Sequence, residues 1–264
     1  MFDYKMRKIK RKLSIRLLRK GALIEETYAA FRNWDLSTSI KSNIANIRNH
    51  NTIGAANEKW LHEIITTLSS RFADNESIEP LVTLARCGLA IDKWRSCLLW
   101  HIGRTDYLYY QFATQWLYDR YQDGTYFILT NDVLPFVKNI TDGRIASGGN
   151  LTEYGAVRAA RDLLRMAAEF GIVKGKVKKK FSSYHMPQEA FLYVLHGLAE
   201  TVDNTQQLLD SKDWHLFLMD SMDVEREIFR LHQFKALEYQ IAGSIAQLKL
   251  PNASLKEYAR GLMV

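Results

Sequence analysis

Residues Asn150 to Tyr184 read NLTEYGAVRAARDLLRMAAEFGIVKGKVKKKFSSY, and the fold turns on how this stretch divides. Ala156, Val157, Ala160, Leu163, Leu164, Ala167 and Phe170 recur at helical spacing, which predicts a helix with one face buried in a core. The opposite face carries Tyr154, Arg158, Arg161 and Arg165 at steps of four, three and four, lining a phenol and three guanidiniums along one exposed stripe. Asn150 followed by Glu153 is a start signal, and Gly171 is a stop. Beyond it, Ile172-Val173, a Lys-Gly turn and Val177 to Phe181 and Tyr184 predict a short hairpin. Lys174, Lys176, Lys178, Lys179 and Lys180 crowd its turn.

A helix with arginines on one face, followed at once by a lysine-rich hairpin, is how a winged helix meets double-stranded DNA. The helix lies in the major groove and the hairpin reaches an adjacent backbone. The competing reading is a solvated face, since Arg158 and Arg165 can each pair with Asp162 and lysines are common at hairpin tips. Five lysines in seven residues with no acid among them favour the nucleic-acid reading.

At 264 residues, 47% hydrophobic and 12% aromatic, the chain is long and apolar enough to bury a sizeable core. The net charge of +7 is unevenly placed, because residues 1–20 hold nine lysines and arginines against Asp3 alone and everything after Lys20 sums to −1. Residues 4–20 predict a basic amphipathic helix, with Met6, Ile9, Leu13 and Leu17 on its narrow apolar side. Its cations Arg7, Lys8, Lys10, Arg11 and Lys12 join the candidate DNA-binding set. A DNA-contacting arm, a membrane-surface helix and a helix docked on the body by its apolar stripe are the competing readings. Docking with DNA proximity is favoured, because the apolar face is narrow and lacks the Trp or Phe of a membrane helix. Cys87 and Cys97 read as buried thiols of a reduced, cytoplasmic protein. There is no secretory signal, and the longest uncharged apolar run is far short of the roughly 20 residues of a membrane span.

Helices are expected from about Gly21 to Trp34, Asp35 to Asn46, Gly54 to Phe72, Ile78 to Ala90 and Asp92 to Ile102, then a long aromatic one from Thr105 to Tyr121. Tyr107, Tyr109, Tyr110, Phe112, Trp116, Tyr118 and Tyr121 go around that helix, which favours core packing over a base-stacking platform. Asp123-Gly124 marks a boundary between residues 1–122, a helical bundle, and 123–264. In the second part Tyr126 to Leu129 suggests a short strand, and Thr130 or Asn131 caps a helix to Ile140. A Thr141-Asp142-Gly143 turn and a Ser147-Gly148-Gly149 loop then precede the arginine helix. Helices follow over Gln188 to Thr201, Thr205 to Leu209 and Met222 to His232. Trp214 to Met219 reads as extended or a tight turn, Ala236 to Leu250 fits strand and helix alike, and Ser254 caps a last helix.

No phosphate-binding glycine loop, dinucleotide fingerprint, H-E-x-x-H or C-x-x-C pair is present. The seven histidines lie on different predicted elements, so no catalytic residue, metal ligand or cofactor is expected.

Several segments carry a family resemblance: Gly21-Ala22-Leu23-Ile24-Glu25-Glu26, Glu63-Ile64 to Arg71-Phe72, Asp213-Trp214-His215-Leu216-Phe217-Leu218-Met219, Val224-Glu225 to Leu231-His232, and Ile241 to Leu248. Together they resemble the BrxA family of bacterial BREX phage-defence systems, over about Gly21 to Leu262. The resemblance implies a non-enzymatic, mostly helical DNA-binding protein acting beside the system's methyltransferase, phosphatase-like and ATPase components. The family was once taken for inner-membrane proteins, which the missing apolar span contradicts here.

The expectation is therefore a mostly α protein: an N-terminal helical bundle, then a winged helix-turn-helix-like part with a small β component and a helical extension. Its expected role is phosphate-dominated binding of double-stranded DNA, because lysine and arginine dominate the site. RNA binding, or a protein–protein scaffold with a basic docking surface, are the alternatives.

Overall fold

The computed structural model describes Ile15 and residues 18–262, apart from 73–74, 144–149 and 244. Most of the expected basic helix, with Arg7, Lys8, Lys10, Arg11 and Lys12, and the Ser147-Gly148-Gly149 loop lie outside the described residues.

A 3-10 turn over Leu18–Lys20 leads into α1 (Ile24–Arg32), α2 (Ile40–His50), α3 (Glu58–Arg71), α4 (Asn75–Arg86), α5 (Ile91–Thr105), α6 (Tyr107–Gln111) and α7 (Tyr118–Gln122). Polar side chains satisfy the first free N–H groups of several helices. Ser39 Oγ accepts from Ser42, Asn57 Oδ1 from Trp60 and Asp106 Oδ1 from Tyr109. The second helix starts at Ile40 and not at Asp35, because Asp35 is spent on a turn in which its carboxylate accepts both the N–H and the hydroxyl of Ser37. The aromatic stretch forms α6 and α7 joined by a π-helical turn, Phe112–Leu117, in which the Thr114 carbonyl meets His215 Nδ1 at 2.9 Å. Tyr109 and Phe112 are fully buried, as core packing requires, while Tyr107 and Tyr121 stay exposed.

After a turn at Gly124 come α8 (Thr130–Thr141) and α9 (Glu153–Glu169), then β1 (Val173–Lys174) and β2 (Lys180–Phe181). The strand expected over Tyr126 to Leu129 shrinks to one residue: Ile128 exchanges both backbone hydrogen bonds with Lys179, at 2.8 and 2.9 Å, and Thr130 already begins α8. Neither Thr130 nor Asn131 is the cap position, which falls on Leu129; its N–H donates back to the Asp132 carboxylate at 2.7 Å.

The chain continues through α10 (Gln188–Ala199), α11 (Thr205–Leu209), a 3-10 helix over Lys212–Phe217 and α12 (Ser221–Gln233). The stretch that fits both periods is an antiparallel hairpin of β3 (Glu238–Ala242) and β4 (Ile245–Lys249). Tyr239 points inward against Phe229 while Ile241 stays outside, and Gly243 takes a left-handed φ of 61° at the turn. A final α13 (Leu255–Gly261) packs back on α4, where Lys256 and Arg260 both reach Glu79, at 3.0 and 2.5 Å.

The fold is thus mostly α-helical with two small antiparallel sheets. One hydrophobic core runs through it from Leu18 to Ala259. At its centre α10 crosses α5 so closely that a Cβ on Gly197 would sit 2.2 Å from the Trp100 ring, so only glycine permits the approach. No helix among the described residues is long and apolar enough to cross a membrane.

Candidate nucleic-acid interface

The candidate interface begins with α9, whose inner face buries Ala156, Ala159, Ala160, Leu163, Leu164, Met166 and Ala167. Small residues dominate that face, so α8 and the rest of the core come close to the helix axis and the longer side chains are left outside. The helix is capped by Thr152, whose Oγ1 accepts the Gly155 N–H at 3.1 Å, and not by Asn150. Asn150 Oδ1 instead accepts the Gly143 N–H at 2.8 Å, pinning together the two ends of the α8–α9 connection. Gly171, at φ 81°, ends the helix as its residue type implies.

Of the outer stripe, Tyr154, Arg158 and Arg161 face solvent. Arg165 does something else. Its Nη2 donates to the Leu18 carbonyl at 2.9 Å, and its guanidinium lies 3.3 Å from Asp162 and 3.6 Å from Glu169. Asp162 is nearly buried; burial raises its carboxyl above the usual range, against the pull of Arg165, Arg158, Arg161 and Arg19. Arg19 therefore stands beside the α9 stripe, and the acid-free run 4–24 enters the described structure there.

The chain is fixed at this point from two sides. Ala22 N–H donates to the Glu169 carboxylate at 2.5 Å, while the buried Arg71 donates to the Ala22 carbonyl at 2.8 Å and to that of Gly21. Burial lowers Arg71 to about 10, with the buried Asp106 and Glu169 pulling the other way, so it stays cationic at neutral pH.

The hairpin after α9 carries the lysines. Val173 pairs with Phe181 and Lys174 with Lys180, and Ile128 joins at Lys179. The turn demands Gly175: its φ is 113°, and a Cβ there would lie 2.2 Å from the Lys178 carbonyl oxygen. Lys179 is partly buried and donates from Nζ to the Gly175 carbonyl at 2.6 Å, closing the turn. Lys174, Lys176, Lys178 and Lys180 are exposed. Among the described residues none of these four, nor Arg158 or Arg161, forms an ion pair, whereas Lys138 on α8 meets Glu153 at the start of α9 at 2.6 Å. Lys174 and Lys180 stand directly opposite each other across the ladder, an arrangement that repels unless an anion lies between or above them.

Sequence reasoning overlooked the side chains around this sheet. Tyr126, Phe127 and Val177 are exposed, and Lys178 Nζ lies 5.4 Å from the centre of the Phe127 ring. The signal was available in the Tyr126-Phe127 pair beside a turn, since two adjacent residues of an extended segment point to opposite sides and cannot both point inward.

Nothing here resembles a metal centre. No group of three or more His, Cys, Asp or Glu among the described residues is placed to hold an ion. Cys97 is buried and Cys87 partly so; both are free, and burial pushes the Cys97 thiol up.

A family model described as BrxA matches residues 11–197, a span that runs from the basic N-terminal segment through α9 and its hairpin into α10. The resembling segments at 213–219, 224–232 and 241–248 lie beyond the matched range. No curated protein and no solved structure matches the chain.

Proposed function

The chain belongs to the BrxA family, components of BREX phage-defence systems, and from that premise we propose that it is a non-catalytic protein binding double-stranded DNA through its phosphates. Ile128, α8, α9 and the β1–β2 hairpin follow the order of a winged helix. In this reading α9 enters the major groove with Arg158 and Arg161, and the hairpin sets Lys174, Lys176, Lys178 and Lys180 on a neighbouring backbone. Arg7, Lys8, Lys10, Arg11 and Lys12, upstream of Arg19, extend the cationic surface. Residues 1–122 then serve as the helical scaffold and 123–264 as the binding part with its extension. A cytoplasmic location and contact with the system's methyltransferase, ATPase or phosphatase-like component accompany the reading.

The observation that carries the reading is the Lys174–Lys180 opposition, in which neither lysine forms an ion pair among the described residues. A face that only needed solubility would interleave both signs, whereas a phosphate chain turns the repulsion into two contacts. A scaffold binding an acidic protein shares that logic, so the test is made on nucleic acid. Full-length protein is titrated with duplex DNA and duplex RNA across a range of salt. Duplex DNA should bind with a steep dependence of log affinity on log salt. Replacing Lys174, Lys176, Lys178 and Lys180 by Ala should lower that slope by about four, leaving thermal stability within about 0.5 kcal/mol. Unchanged affinity and slope in a folded variant removes the proposal, and preference for duplex RNA redirects it.

A further inference from the structure

The basic hairpin is also the place where apolar side chains gather on the outside. Tyr126 is 73% exposed, Phe127 44%, Leu129 38% and Val177 80%. They flank the Ile128–Lys179 bridge or stand at the Gly175 turn. Tyr126 and Phe127 meet edge to face, ring centres 4.4 Å apart and planes at 62°. Tyr121 leans on Phe181 in the same manner at 5.2 Å, below the second strand. Lys178 hangs over Phe127. Exposed rings and an ammonium group thus meet at the edge of one small sheet.

Exposed apolar surface of this kind marks a contact. Its occupant is set by Lys178 over the Phe127 ring, because an apolar protein face would bury that ammonium group without a partner. A nucleotide satisfies both features, since its base offers a π-face to the ring and its phosphate an anion to the lysine. Paired bases keep their faces inside the stack, so the base that meets Tyr126 or Phe127 is unpaired.

We infer that the Tyr126–Phe127 edge is a stacking site for an unpaired nucleobase, so that the chain prefers duplex DNA from which a single strand emerges beside the hairpin. This rests on the duplex-binding proposal and adds the class of DNA structure recognised.

The test compares three fluorescently labelled probes sharing one duplex: blunt, with a 3′ oligo-dT extension, and with a 5′ oligo-dT extension. Full-length protein should bind one of the extended probes roughly tenfold more tightly than the blunt one, the scale of a single base–aromatic stack. Tyr126→Ala/Phe127→Ala should bring that probe down to the blunt duplex and leave blunt affinity and salt slope unchanged. Phe127→Trp, which keeps a ring, should retain the preference and guards against a folding defect. Equal affinity of the parent protein for all three probes overturns the inference and leaves the duplex proposal standing. So does a preference that survives the double alanine variant. Failure to bind even the blunt duplex removes both.

Discussion

The Glu169 carboxylate accepts the Ala22 N–H at 2.5 Å, joining the last turn of α9 to a segment 147 positions earlier. Gly21 makes the approach possible. Its φ of 74° is left-handed, and a Cβ there would lie 2.6 Å from both Glu169 carboxylate oxygens. Gly21→Ala therefore combines backbone strain with displacement of a partly buried acceptor. It should cost about 1–3 kcal/mol in urea unfolding. An unchanged midpoint would show that the turn tolerates a side chain.

The stripe on α9 divides in two by its partners. Arg158 and Arg161 make no ion pair among the described residues, whereas Arg165 holds the Leu18 carbonyl and sits between Asp162 and Glu169. Arg165→Ala should lose roughly 1–2 kcal/mol of stability through the charged hydrogen bond it breaks. Arg158→Ala/Arg161→Ala should leave stability within about 0.5 kcal/mol and reduce the DNA salt slope by about two. If the double variant is the unstable one and Arg165→Ala the one defective in binding, the division is wrong.

The contrast also shows what the sequence could reveal. Alanine and leucine spacing located α9, Gly171 ended it, and Gly175 among lysines located the turn, because each signal acts within a few residues of its effect. The role of Arg165 was hidden, since its partner is a backbone carbonyl 147 positions away that has no residue signature. Asp35, read as the start of a helix, is instead committed to Ser37, and Asn150, read as a cap, to Gly143. In both cases the side chain had two feasible local bonds and tertiary placement chose between them. The ambiguity over 236–250 was decided by Tyr239 packing on Phe229, a contact outside any local window.

Asp213 offers a test of the interior. Its carboxylate accepts Trp100 Nε1–H at 2.7 Å and the Tyr110 hydroxyl at 2.8 Å, tying the 3-10 helix to α5 and α6. Asp213→Ala strands both donors where water scarcely reaches, so it should cost about 2–4 kcal/mol while leaving the DNA salt slope unaltered. A loss below about 0.5 kcal/mol would mean the network relaxes onto other partners.

His101 sets a pH dependence. It lies buried against the Phe72 ring, 5.5 Å between centres, and burial, with Arg104 nearby, lowers it to about 4. An unfolded histidine titrates near 6.5, so between about pH 6.5 and 4 the unfolded chain binds a proton that the folded one refuses. This group therefore makes folding less favourable as pH falls through that window, by about 2 kcal/mol between pH 7 and pH 5. Asp106, Asp162 and Glu169 act with the opposite sign, because burial raises each carboxyl and the protonated folded form is lost as pH rises. His196 is lowered as well and adds to the loss at low pH. The parent minus His101→Gln comparison cancels these other groups. Urea unfolding at pH 7 and pH 5 should show the parent losing about 2 kcal/mol more than His101→Gln, whatever the variant's starting stability. Equal losses would mean that His101 takes up its proton in the folded state without penalty.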